Sequence, residues 1–147
     1  MADDPQALLS GTAPPDYRLI FDAMPGMCLI LDTAFKIIAQ NAEHAKATLS
    51  TNKSVIGKPI YEVFPDNPND SYDSGVSAVR QSLLNVLKTR KRDEMPIVRY
   101  DVQPFGGQFE ERYWTITNSP VLGSDGFVHW IINRAEDVTE LVRLRRK

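Results

Sequence analysis

The chain has 147 residues, 17 basic against 19 acidic side chains and a formal net charge of −2. That length suits one domain burying roughly 70% of the surface its unfolded chain exposes, so a core forms without staples. Near-balanced charge gives no global argument for nucleic acid or a membrane surface. The single cysteine, Cys28, excludes an internal disulfide and any multi-cysteine metal site, and "GMCLIL" marks it as a small apolar core residue.

Residues 1–15 are polar, carry three prolines and read as a linker; they lack the basic start and long apolar run of a secretory signal. The longest strongly apolar stretch, Met27 to Leu31, is far below the about 20 residues that span a bilayer, so a cytoplasmic chain without membrane insertion is expected. Asp16 is a good N-cap, and Tyr17, Ile20, Phe21 and Met24 follow at i, i+3, i+4 and i+7. Pro25-Gly26 ends that helix.

"GMCLILDTAFKIIAQN" reads as a hairpin turning at Asp32-Thr33-Ala34, with Lys36 to Gln40 returning. Asn41 can cap a short helix through Leu49, whose His44 is expected on a solvated side. The next stretch is broken by glycine and prolines, with a helical turn expected around Pro59 to Phe64. From Gly75, the residues Val76, Val79, Leu83, Val86 and Leu87 repeat at helical spacing, and the basic "KTRKR" complements the helix dipole at the end.

Three strand candidates follow. "MPIVRYDVQ" alternates Val98, Tyr100 and Val102 against Ile97, Arg99 and Asp101. "RYWTITNSPVL" sets Trp114, Ile116 and Asn118 against Tyr113, Thr115 and Thr117; "FVHWIINRAED" sets His129, Ile131, Asn133 and Ala135 against Trp130, Ile132 and Arg134. Strands in two groups separated by helices predict an α+β fold with one antiparallel sheet and the helices on one face.

This order, with Asp137-Val138-Thr139 before a final helix, resembles a PAS domain over about residues 16 to 140. The phrases "YEVFPDNP", "RYDV", "FEERYW" and "SPVLGSDGFV" resemble a subgroup found in bacterial two-component signalling proteins. The resemblance implies a five-stranded sheet in a sensor domain over 16–138, with 139–147 starting a connector helix to an output domain such as a histidine kinase. Val138, Leu141 and Leu144 would begin an apolar seam there. Asp137, Thr139 and Glu140 are then candidates for signal transmission. Asp137 with Glu140 offers a capping box, and Thr139 competes as the cap.

By the same resemblance, Tyr100, Trp114, Ile116, Asn118, Ile131, Asn133 and Ala135 are pocket candidates. The two amides are the informative members, since a buried amide costs energy unless hydrogen-bonded. Relatives in that subgroup carry histidine at the place of Asn133, a departure bearing on any shared ligand. Tyr17, Ile20, Phe21, Met24, Tyr113, Trp130 and Ile132 are candidates for a homodimer interface, with packing within one chain as the alternative.

The region "NAEHAKATLS" lacks the cysteine of the light-sensing flavin class, and residues 76–90 lack the axial histidine of the haem class, which argues against both cofactors. The cofactor is otherwise open. His129 is expected on a rim. The chain carries no Gly-x-Ser-x-Gly elbow, phosphate-cradling loop or His-Glu-x-x-His, and so offers no catalytic or metal set. Two readings compete: a sensor that detects a small molecule or partner, and a ligand-free dimerisation or docking module. A small α+β enzyme is the remote third.

Overall fold

The computed structural model describes residues 14–69 and 75–146. Most of the linker expected over 1–15 lies outside these. In chain order the elements are helix α1 (Tyr17–Ala23), strands β1 (Met27–Asp32) and β2 (Ile37–Gln40), and helices α2 (Ala42–Thr48), α3 (Asn52–Val55), α4 (Ile60–Val63) and α5 (Gly75–Thr89). Then come β3 (Asp93–Glu94), β4 (Val98–Arg99), β5 (Tyr113–Leu122), β6 (Val128–Asp137) and α6 (Thr139–Arg145). Among the described residues, no helix is long and apolar enough to cross a membrane.

The α+β architecture is as expected, but the sheet has six strands and not five. Its order is β2-β1-β6-β5-β3, with β4 also pairing to β5, and the pairings are antiparallel. Of the strand expected over 95–103 only Val98–Arg99 forms, with Val102 in a lone bridge to Glu110, and the short β3 precedes that span. Pro96 lies between β3 and β4 and has no N–H to give the ladder.

Alternation along the strands decides what is buried. Met27, Leu29 and Leu31 of β1, Trp114 and Ile116 of β5 and Ile131 of β6 point into the core. Helix α5 closes over them with Val79, Leu83 and Val86, its stripe at helical spacing. Cys28 is buried, as its apolar surroundings imply, and burial pushes its thiol pKa up.

Local chemistry fixes the ends of the elements. Asp16 Oδ1 accepts the N–H groups of Arg18 and Leu19 and starts α1. Phe35 takes a left-handed φ of 65° in the β1–β2 turn, where Asp32 Oδ1 accepts the N–H groups of Ala34 and Lys36. Helix α1 buries none of its residues, and Trp130 and Ile132 on the outer sheet face are 45% and 37% exposed. The apolar stripe of α1 does not cover that face within this chain.

A candidate ligand pocket between sheet and helices

Asn41 ties the start of helix α2 to the sheet. Asn41 is fully buried; its Oδ1 accepts the N–H of His44 and that of Cys28 at 3.0 Å each, and its Nδ2 donates to the carbonyl of Gly26 at 2.7 Å. The helix cap is therefore also a bolt onto β1. It turns the first turn of α2 inward, and His44 is 4% exposed. The expectation of a solvated His44 is thus overturned.

A ring of hydrogen bonds holds the imidazole. His44 Nδ1 donates to Gln40 Oε1 at 2.9 Å, Gln40 Nε2 donates to Ser50 Oγ at 3.3 Å, Ser50 and Thr48 hydroxyls meet at 2.9 Å, and Thr48 Oγ1 donates to the His44 carbonyl at 2.8 Å. Phe64 packs its ring edge-wise at 5.6 Å. Burial lowers the His44 pKa from 6.5 to about 4, so the ring is neutral at physiological pH.

His44 is one wall of a cavity of about 60 Å³ between the inner sheet face and the helices. Apolar walls come from Met27, Leu29, Ile60, Phe64, Trp114 and Ile116, and polar groups from Thr48, Tyr100, Asp101 and Asn133. An apolar surface with a few placed polar groups has the chemistry of a ligand pocket. The volume is below the about 150 Å³ of a benzene-sized cavity, so without side-chain movement only a compact molecule fits.

Asn133 reaches the cavity at the end of a directed relay. A carboxylate only accepts, so Ser82 Oγ must donate to Asp93 Oδ2, at 2.6 Å. Ser82 therefore accepts from Asn118 Nδ2 at 2.9 Å, which turns Asn118 Oδ1 toward β6. There it accepts from Asn133 Nδ2 at 2.7 Å.

Tyr100 and Asp101 form the wall nearest the α4–α5 loop. The Tyr100 hydroxyl donates to the Phe64 carbonyl, and Trp114 Nε1 donates to the Tyr100 carbonyl at 2.7 Å. Burial, with help from Asp66 and Tyr61, pushes the Tyr100 phenol far above its usual range. Asp101 accepts two bonds from Arg99 at 3.0 Å each, one from Asn67 Nδ2 at 2.9 Å and one from the Arg112 N–H at 3.3 Å. Burial alone would raise its carboxyl, but these donors outweigh it and hold the pKa below the usual value.

The same wall runs to the C-terminal helix α6. Arg99 lies 3.7 Å from Glu111, and Glu111 lies 3.9 Å from Arg146 at the end of α6. Arg146 Nη2 donates to the Tyr113 hydroxyl at 2.9 Å and its guanidinium sits over the Tyr113 ring. Thr139 Oγ1 accepts the Tyr113 N–H at 3.0 Å, while Asp137 Oδ1 accepts both the N–H and the hydroxyl of Thr139. The capping box from Asp137 to Glu140 does not form: Val138 is the N-cap residue, with no side-chain cap, and Glu140 stays exposed.

Of the expected pocket residues, Tyr100, Trp114, Ile116, Asn133 and Ala135 line the cavity. Asn118 does not, because it sits behind Asn133 in the relay, and Ile131 is wholly buried in the core outside the lining. Among the expected interface residues, Tyr17, Ile20 and Met24 are exposed with Trp130 and Ile132, and Phe21 is half-buried. Tyr113 is 8% exposed, because the segment at the end of α6 folds back over it with Arg146 above its ring. His129 is exposed and pairs with Asp125 at 3.0 Å, away from the cavity. Among the described residues, no group of three or more His, Cys, Asp or Glu could hold a metal ion.

A family model described as the PAS fold matches residues 21–143. The chain belongs to the PAS-fold family. PAS domains are generally sensory modules. No curated protein matches the chain. Among solved structures it is similar to a sensory box sensor histidine kinase from Vibrio cholerae, at 17% identity and TM-score 0.57 over 84% of this chain and 89% of that one. The PAS domain of Bordetella pertussis BvgS shares 21% identity at TM-score 0.62, over 88% and 89%. A LOV protein of Rhodobacter sphaeroides shares 14% at TM-score 0.64, over 83% and 65%. At these identities the likeness is one of fold.

Proposed function

We propose that this PAS domain is a cytoplasmic sensory module whose cavity binds a small molecule and whose exit helix α6 carries the response to an output domain. The observation that carries this reading is a continuous set of polar contacts. Asp101 lines the cavity, Arg99 binds it, Glu111 is next to Arg99, and Arg146 of the exit segment is next to Glu111. A molecule that displaces Asp101 or Tyr100 therefore alters the partners of the segment that holds α6. Asp137 and Thr139 make the second tie, through the Tyr113 N–H. Glu140 has no part in it.

A homodimer accompanies this reading. The α1 stripe of Tyr17, Ile20, Phe21 and Met24 and the Trp130–Ile132 patch are two apolar surfaces that one chain leaves uncovered, and a second copy supplies a cover for each. The same surfaces also support the ligand-free docking module as the second reading.

Native and denaturing mass spectrometry of the purified chain, joined to a thermal-shift panel of small metabolites, separates the two. A mass excess lost on denaturation, or a saturable rise in melting temperature with one chemical class, is the expected result. Neither in any preparation would leave the docking module as the function.

A further inference from the structure

Resting on the ligand-pocket reading, we infer that the cavity selects a compact, neutral molecule that presents hydrogen-bond donors to two acceptors, His44 Nε2 and Asn133 Oδ1. Both side chains are more than nine-tenths buried, both line the cavity, and each spends its other polar atom on the protein. With Gln40 Oε1 as the acceptor of Nδ1–H, His44 keeps a lone pair on Nε2, which has no partner among the described residues. Asn133 gives Nδ2 to Asn118, and its Oδ1 likewise has none. Neither acceptor is sealed in protein, since among the described residues Tyr61 Oη is the one fully buried side-chain polar atom without a partner; both belong to residues lining the cavity, where a donor meeting them in a mostly apolar setting gains more than it would at a wet surface.

The polarity of Asn133 is set from a distance. Asp93 can only accept, and that fixes the direction of each bond from Ser82 through Asn118 to Asn133. Asp93 is thus a positioning residue: its charge makes the cavity wall an acceptor and not a donor. An asparagine at 93 could donate to Ser82, letting the relay reverse and Asn133 turn an N–H toward the ligand.

Neutrality follows from the other lining groups. Among the described residues, no lysine or arginine lines the cavity to meet an anion. The Asp101 carboxylate, the one acidic lining group among the described residues, already accepts four hydrogen bonds and has Arg99 as its counter-charge. A charged ligand would be desolvated without compensation. The about 60 Å³ of space limits size to a few non-hydrogen atoms unless the walls move.

Four probes of one size and planar shape isolate these terms: urea, acetone, acetate and guanidinium. Each is titrated in the millimolar range into the full chain, while NMR follows the His44 ring nitrogens and the Asn133 side-chain amide. Urea should shift both saturably, and acetone, which has no donor, should need at least about tenfold more, the equivalent of one or two lost hydrogen bonds. His44→Leu should weaken urea by about three- to tenfold, and Asp93→Asn should shrink the urea-to-acetone preference at least about threefold. Equal or tighter acetone overturns the two-acceptor assignment, as does tightest binding by acetate or guanidinium. Silence from all four overturns it too, and leaves the sensory reading to be decided by the mass-spectrometric test. If either variant fails to fold, the four-probe order on the unaltered chain decides alone.

Discussion

Asn118 and Asn133 face each other across the β5–β6 ladder, and Asn133 Nδ2 donates to Asn118 Oδ1 at 2.7 Å in a setting where both residues are buried. Two amides in register at the centre of a sheet are costly unless each is satisfied, and the relay through Ser82 to Asp93 satisfies them. Asn118→Leu should therefore destabilise the domain by roughly 2 kcal/mol or more, since it orphans Asn133. Adding Asn133→Leu should cost less than the sum of the two singles, with a coupling of about 1 kcal/mol. Denaturant melts of the four proteins measure this; strict additivity would mean that the pair does not act as a unit.

His44 gives stability a pH dependence of known sign. Its folded pKa, about 4, lies below its ordinary 6.5. The unfolded chain therefore binds the proton first as pH falls, and stability is lost from about pH 6.5 down to about 4, where the loss levels off. The loss is on the order of 3 kcal/mol. His44→Gln should flatten this limb, and chemical denaturation at several pH values checks it. A variant with the same slope would place the titration elsewhere.

Asp101 contributes at lower pH. Its folded pKa is held below the ordinary value, so its stabilisation is present above the unfolded value and is lost as pH falls through the folded one. Asp101→Asn should lose about 2 kcal/mol near neutrality, because Arg99 loses its counter-charge, and should show a shallower acid limb than the unaltered chain. Melting curves through the acid range give both quantities.

Thr139 joins the exit helix to β5. Thr139→Val removes the acceptor for the Tyr113 N–H and should cost about 1–2 kcal/mol, with faster amide exchange at Tyr113 and along α6. Thr139→Ser should restore both. Unchanged exchange in the valine variant would show that Tyr113 is protected by other means.

The proposed dimer has its own test. Phe21→Arg or Trp130→Arg should weaken association at least about tenfold, read as monomer by light scattering at concentrations where the unaltered chain is dimeric. A dimer unaffected by both changes would place the interface elsewhere.

Much of the fold was legible because its signals are local. The caps Asp16 and Asn41, the stripe of Val79, Leu83 and Val86, and the alternation of β5 and β6 each follow from side-chain chemistry at fixed spacing. Pro96 also carried a readable warning against a continuous strand.

The site was less legible, because its polar members depend on tertiary neighbours. His44 was placed in solvent, yet α2 reads "AEHAKAT", which offers no large apolar residue to bury. Once Glu43 and Lys46 take the wet side, the i, i+4 pair His44 and Thr48 is left for the inner one. The burial of Tyr113 has no such local signal, because it depends on where α6 lands after the chain leaves the sheet. Asn118 and Asn133 were singled out as buried amides, but their direction depends on Asp93, 25 residues before Asn118 and beyond any local pattern.

The central claim is that filling the cavity changes the hold on the exit helix. Hydrogen exchange measured residue by residue, with and without the panel compound that raises the melting temperature most, tests it directly. The account predicts altered protection at residues 139–146 and at the Tyr113 amide, together with protection of the cavity wall. Protection confined to the cavity, with α6 unchanged at saturation, would contradict it.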